Sequence, residues 1–171
     1  VSKNAILGKG KVFVVEADES DGTFQKVRAD IAVITNMDRE HMDYYLDFET
    51  MEDAYVEFMQ GVPFDGIVIA NGDDQRLRAL VSGLKKRKMT YGFDQHNDAF
   101  AYNISSSGMQ TTFSIQMNDK SIGKLTLPLS GRHNVLNALA ACLVGMEMGL
   151  SFAQIKKRLK SAITVLHFLW A

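Results

Sequence analysis

Acidic and amide side chains gather at two places in this chain, each straight after a short apolar run. Val12-Phe13-Val14-Val15 opens into Glu16-Ala17-Asp18-Glu19-Ser20-Asp21-Gly22-Thr23-Phe24, and Ile31-Ala32-Val33-Ile34 opens into Thr35-Asn36-Met37-Asp38-Arg39-Glu40-His41-Met42-Asp43. Runs this short and this rich in Val and Ile, bounded by polar turn residues, predict strands buried on both faces, as in a parallel sheet. Ligands of open α/β sheets sit beyond the C-terminal strand ends. Glu16, Asp18, Asp21, Asn36, His41 and Asp43 are therefore expected to converge on one crevice. Hard oxygen ligands with one imidazole suit Mg²⁺ or Mn²⁺ and, through the metal, a polyphosphate. An EF-hand is excluded, because the Gly of its sixth position and the Glu of its twelfth are missing whether counting starts at Glu16 or Asp18.

The elements that must position these groups follow from periodicity. Met51, Tyr55, Phe58, Met59 and Val62 share one face of a helix that Pro63 ends. Gly66-Ile67-Val68-Ile69-Ala70 reads as another buried strand, Asp73 or Asp74 can cap a helix with the stripe Leu77, Leu80, Val81 and Leu84, and Met89 to Phe93 reads as one more strand. From about residue 94 the period becomes two: Met109, Thr111, Phe113, Ile115 and Met117 alternate with polar residues, as do Leu125, Leu127 and Leu129, with Asn118-Asp119 as the turn. Helical spacing returns at Val135, Leu136, Leu139, Leu143 and Met146, and Gly149 is the stop. Ser151-Phe152-Ala153-Gln154 fits a capping box for a last helix with Ile155 and Leu159 inward. The expected fold class is α/β, a mostly parallel sheet flanked by helices with a small antiparallel β appendage. Residues 1–163 would form it, every helix and strand ending before Thr164, and 164–171 would be an atypical apolar tail.

Composition narrows the function classes. With 171 residues, 46% of them apolar, one domain with a sizeable core is expected. A net charge of −1 gives no long-range field to attract nucleic acid or anionic lipid, so neither is an expected partner; Lys85-Lys86-Arg87-Lys88 and Lys156-Lys157-Arg158 are expected to solvate helix faces. Cys142, the one cysteine, sits among Ala140, Ala141, Leu143 and Val144 as a buried structural thiol. Without an apolar leader or a bilayer-length apolar stretch, the expectation is a cytoplasmic protein.

The run from Glu16 to Phe24, the run from Thr35 to Tyr45, Asp73-Asp74, Tyr91-Gly92-Phe93 and Gly131-Arg132-His133-Asn134-Val135-Leu136-Asn137-Ala138 together resemble, in order and spacing, the central ATP-binding domain of the Mur ligases. Within that family the Glu16-to-Phe24 run and the His41-Met42-Asp43-Tyr44-Tyr45 stretch favour the member that adds L-alanine over the one that attaches a whole tripeptide to the same sugar nucleotide. The resemblance implies ATP-dependent amide-bond formation in peptidoglycan synthesis, with UDP-N-acetylmuramate and L-alanine as substrates and ATP and Mg²⁺ as cofactors. It implies that Glu16 and His41 bind the metal and that Asn134 and Asn137 face the adenine. The two asparagines lie three apart on one helical face, where amides offer donor and acceptor together. Other readings stand beside these: strand-end carboxylates in solvent for Glu16 and Asp18, a surface or core histidine for His41, a helix cap for Asn134 and a solvent-facing amide for Asn137.

The sequence also departs from the family pattern. No Gly-rich loop ending in Gly-Lys-Thr is present to hold the β- and γ-phosphates; Gly8-Lys9-Gly10 leads into a predicted strand rather than a helix, and Gly123-Lys124-Leu125 also fails. Nor is there the family's Gly-x-x-Arg-Arg-Phe stretch, and Glu40 stands before His41 where Asp is usual. The expectation is thus a fragment of a ligase, truncated at both ends and inactive alone, with a non-catalytic nucleotide-binding remnant or a piece of the tripeptide-attaching relative as alternatives.

Overall fold

Hydrogen-bond pairing in the computed structural model joins six strands into one sheet in the order β1 (Ile31–Ile34), β2 (Ile67–Asn71), β3 (Lys88–Gly92), β4 (Ala99–Ser107), β5 (Gln110–Met117) and β6 (Lys120–Leu127). The structure describes residues 10–20, 22–37 and 44–166, with 161–166 as backbone alone. Strands β1 to β4 pair in parallel, while β4, β5 and β6 pair antiparallel. Helices α1 (Phe48–Gln60) and α2 (Gln75–Gly83) make the crossovers from β1 to β2 and from β2 to β3. Both lie on one face, where Met51, Met59, Leu77 and Val81 share a core with Ala32, Ile34, Val68 and Ala70. On the other face α3 (Arg132–Glu147) and α4 (Phe152–Leu166) bring Val135, Leu139, Leu143 and Ile155 onto Ile69, Tyr91, Phe113 and Leu125.

Local chemistry explains where the helices begin and end. Asp47 accepts the Thr50 N–H at 2.8 Å at the start of α1, and Asp74 accepts the N–H groups of Arg76 and Leu77 at the start of α2. Ser151 and Gln154 form the expected capping box: the Ser151 N–H donates to Gln154 Oε1 at 2.8 Å, and the Gln154 N–H points back to Ser151 Oγ at 3.4 Å. Gly149 takes φ 80°, a left-handed turn that lets the Leu150 N–H reach the Gly145 carbonyl at 2.9 Å and close α3. Asn118 and Asp119 both have positive φ, as a two-residue hairpin turn between β5 and β6 requires. Cys142 is buried in α3, and that burial pushes its thiol pKa up to about 12.

Four expectations change. The run Val12-Phe13-Val14-Val15 is not a strand: it has no regular structure, and Phe13 and Val14 are 87% and 86% exposed. Apolar composition expresses a tendency to be buried, but a strand forms only where a neighbour satisfies its backbone groups, and the described sheet ends at β1 without pairing to this run. β1 itself is fully covered on one face only: Ala32 and Ile34 are buried, whereas on the other face Ile31 is partly buried against the α3 side and Val33 is exposed. The antiparallel part of the expected fold joins the parallel strands through β4, which pairs with Tyr91 and Gly92 of β3 and is hidden from a simple alternation count by its small residues Ala99 and Ala101. The basic run at 85–88 does not solvate a helix face. Lys86 donates to the Val62 carbonyl, Arg87 to that of Asp65 and Lys88 to those of Ser82 and Leu84, so these cations close the chain ends of α1 and α2. Finally, α4 runs to Leu166, past the expected boundary at 163, while 167–171 lie outside the described residues.

Candidate functional site

A continuous polar network crosses the C-terminal ends of three strands. From the end of β2, Asn71 donates its amide to the Thr35 carbonyl at 3.0 Å, just beyond β1, and its Oδ1 accepts the Asp73 N–H at 3.1 Å. The Asp73 carboxylate turns towards β3, accepting the N–H groups of Phe93 at 2.7 Å and Asp94 at 3.1 Å and the Asn97 amide at 2.8 Å. Asn71 and Asn97 are buried, 8% and 6% exposed, and such amides belong in a folded interior only when they are hydrogen-bonded. Asn97 Oδ1 and the Tyr91 hydroxyl remain without a partner among the described residues. Burial, with the Asp73 charge nearby, pushes the Tyr91 phenol pKa well above its ordinary value.

Phe93 links this network to α3. The Arg132 guanidinium carbon lies 3.8 Å from the Phe93 ring centroid, a close cation–π contact. At the opposite end Glu147 pairs with Arg87 at 2.9 Å, just before β3, so α3 runs antiparallel to β3 with its first turn at the C-terminal edge of the sheet. Asn134, half-buried in that turn, donates its amide to the Ser130 carbonyl at 2.7 Å; Asn137 follows, exposed. An open cleft of about 370 Å³ lies beside Phe93, lined by Asp73, Gln75, Arg78, Phe93 and Asp94. The Asp94 carboxyl is held below the usual range by the backbone and ring N–H groups of His96, the ring nitrogen at 2.5 Å, with Arg78 assisting. The cleft therefore sets an aromatic side chain beside hydrogen-bonding groups of both signs.

Of the residues expected to form the acidic crevice, the structure describes Glu16, Asp18 and Asn36. Glu16 is exposed in the irregular segment after the apolar run. The Asp18 carboxylate accepts the Ser20 N–H at 2.8 Å in a local turn, and Asn36 Oδ1 accepts from the Thr35 hydroxyl at 2.9 Å. Asp21, His41 and Asp43 lie outside the described residues. Among the described residues no three His, Cys, Asp or Glu side chains are placed to hold a metal ion, so these residues by themselves do not assemble one. Asn134 is not the cap of α3, a position held by Gly131. The groups that periodicity alone passed over are Asn71, Asp73 as a strand-end clamp, Asn97 and the Phe93–Arg132 stack. A Gly-Asp-Asp run after one strand and a Gly-Phe-Asp run after the next were the available signals.

A sequence profile of the Mur ligase middle domain matches residues 3–145. The chain belongs to the Mur ligase family. This Mur ligase sequence is 41% identical over 161 residues to the UDP-N-acetylmuramate–L-alanine ligase of Desulfatibacillum aliphaticivorans, covering 94% of the chain and 35% of that protein. It is 43% identical over 157 residues to the enzyme of the same name from Aquifex aeolicus, covering 92% of the chain and 35% of that protein. The chain thus spans about a third of the length of these curated relatives. Among solved structures, the UDP-N-acetylmuramate:L-alanyl-gamma-D-glutamyl-meso-diaminopimelate ligase of Neisseria meningitides superposes with a TM-score of 0.73 at 25% identity, over 85% of this chain and 46% of that one. The UDP-N-acetylmuramate-alanine ligase of Thermotoga maritima gives a TM-score of 0.73 at 23% identity, over 85% of this chain and 32% of that one. These likenesses agree with the α/β sheet and flanking helices of the Mur ligase fold described above. Among the described residues no helix is long and apolar enough to cross a membrane.

Proposed function

We propose that this chain is the portion of a UDP-N-acetylmuramate–L-alanine ligase that carries the adenine end of its ATP site. The observation that supports this most is the position of α3: its first turn, with Arg132 over the Phe93 ring and Asn134 two residues on, lies at the C-terminal edge of the sheet, where an α/β sheet takes its ligand, and Asn137 follows one turn along the helix. In the whole enzyme, the γ-phosphoryl group of ATP passes to the lactyl carboxylate of UDP-N-acetylmuramate. The amine of L-alanine then attacks the acyl phosphate, releasing phosphate and forming the amide. Asn134 is engaged at its donor side by Ser130, so its carbonyl oxygen is the group it would turn to the exocyclic amine of adenine; Asn137 would supply the complementary edge. Relatives named for this activity at more than 40% identity support L-alanine as the amino acid added.

Mg²⁺ would offset the charge of the polyphosphate, and Glu16 and His41 are its proposed ligands on the strength of their motifs. Titration calorimetry with ADP tests the nucleotide reading. Asn137→Ala, on an exposed position of α3, should weaken ADP at least about fivefold without altering the fold, in keeping with the loss of about one hydrogen bond. Equal affinity of parent and variant would remove Asn137 from the site, and no ADP binding by the parent would defeat the proposal.

A further inference from the structure

Two consecutive aspartates follow β2, and they do different work. Asp74 faces its own helix and caps α2. Asp73 faces away from that helix and binds the start of the β3–β4 link, with two backbone N–H groups and the Asn97 amide converging on its carboxylate. Its own N–H is tied through Asn71 to the end of β1. Gly92 makes room for the arrangement: a Cβ there would lie 2.1 Å from Asp73 Oδ1 and 2.5 Å from the Asn97 amide nitrogen, too close for any side chain.

From these contacts we infer that Asp73 is a positioning residue for the adenine end of the site. It touches no nucleotide group in this reading. Instead it fixes the backbone of Phe93, the Phe93 ring carries Arg132, and Arg132 opens the helix that presents Asn134 and Asn137. A carboxylate receiving N–H groups makes bonds about twice as strong as neutral pairs, which suits a clamp that must hold an aromatic shelf at the mouth of an open cleft. Positioning is worth more than its contact energy, since a displacement of about 1 Å in a binding group can cost up to about a hundredfold in function. The inference rests on the adenine contact proposed for Asn134 and Asn137, and adds the residue that sets their place.

The test compares adenosine and ADP with inorganic tripolyphosphate on the full 171-residue chain. Asp73→Asn puts a donor where the backbone N–H groups need an acceptor; Gly92→Ala displaces the carboxylate while leaving its charge. Both variants should lose about tenfold in affinity for adenosine and ADP, keep the parent's response to tripolyphosphate, and shift the Phe93 and Asp94 amide resonances upfield. Parent-like adenosine affinity in a folded variant would overturn the inference and leave the proposed function standing; equal losses for adenosine and tripolyphosphate would also overturn it, as a general loss of structure. A parent chain that binds neither adenosine nor ADP would defeat the nucleotide reading and this inference together. Should one variant fail to fold, the other decides. Should both fail, the parent's own Phe93 and Asp94 amides decide: downfield and protected from exchange supports the clamp, and rapid exchange refutes it.

Discussion

The two ends of the proposed ATP site are built differently. At the proposed adenine end, Asn71 stands on a paired strand and Arg132, Asn134 and Asn137 on a packed helix, and hydrogen bonds and a ring contact link Thr35 through Asn71, Asp73 and Phe93 to Arg132. At the phosphate end, Glu16 follows an apolar run that pairs with nothing among the described residues and whose Phe13 and Val14 stand in solvent. Both ends have the same sequence signature, a short apolar run opening into polar residues. The difference teaches that such a signature positions a side chain only when the strand beneath it has a neighbour.

The largest effect expected from this contrast is catalytic. With no Gly-Lys-Thr loop in the sequence, the 171-residue chain should release no measurable ADP from ATP in the presence of UDP-N-acetylmuramate, L-alanine and Mg²⁺. Each lost donor to the transferring phosphoryl group is worth about 2.7–4 kcal/mol, and several are missing. A coupled assay showing substrate-dependent ADP release would reverse the contrast, making the phosphate end competent as it stands.

Packing should separate the same two regions. Leu139, fully buried beneath the adenine end, should cost about 2–5 kcal/mol when replaced by Ala, whereas Val14→Ala at the exposed run should stay within about 0.5 kcal/mol, both read from urea melts. A destabilisation at Val14 equal to that at Leu139 would mean that the run is packed. Metal binding gives a smaller signal: Glu16→Gln and His41→Ala should each weaken Mn²⁺ in a relaxation titration, and unchanged affinity in both would remove the proposed ligands. The smallest effect concerns α1. Thr50 donates to Asp47 through its backbone N–H and its hydroxyl, which lowers the Asp47 pKa from its ordinary 3.8. A carboxylate depressed on folding contributes in full above that value, and the contribution is lost as pH falls below it, so the N-terminus of α1 should exchange faster only under acid conditions. Asp47→Ala should abolish that pH step in amide exchange at Thr50.

Much of the fold was legible because the signals were local. Asp74 lies before a helical stripe, Ser151 and Gln154 form a capping box, and Asn118-Asp119 sits between two alternating runs; each states its element within a few residues. Apolar periodicity likewise marked Met51, Leu77 and Leu139 as core. What was not legible depended on partners distant in sequence. The run at 12–15 has strand composition but no ladder, β4 hides its inward face in Ala99 and Ala101, and the cations at 86–88 find carbonyls at the ends of helices that precede them. In the site, Asn134 and Asn137 were readable as a helical pair, whereas Asp73 looked like a second helix cap. Only the approach of β3 to the end of β2 shows where its carboxylate points.

The most direct test of the central claim is a two-dimensional ¹H–¹⁵N NMR titration of the intact chain with ADP. Saturable shifts should appear at the Phe93 and Arg132 backbone amides and at the side-chain amides of Asn134 and Asn137, with the hairpin turn at Asn118 and Asp119 unmoved. Saturable binding that leaves those four residues silent, or shifts centred instead on the basic run at 85–88, would contradict an adenine site at the start of α3.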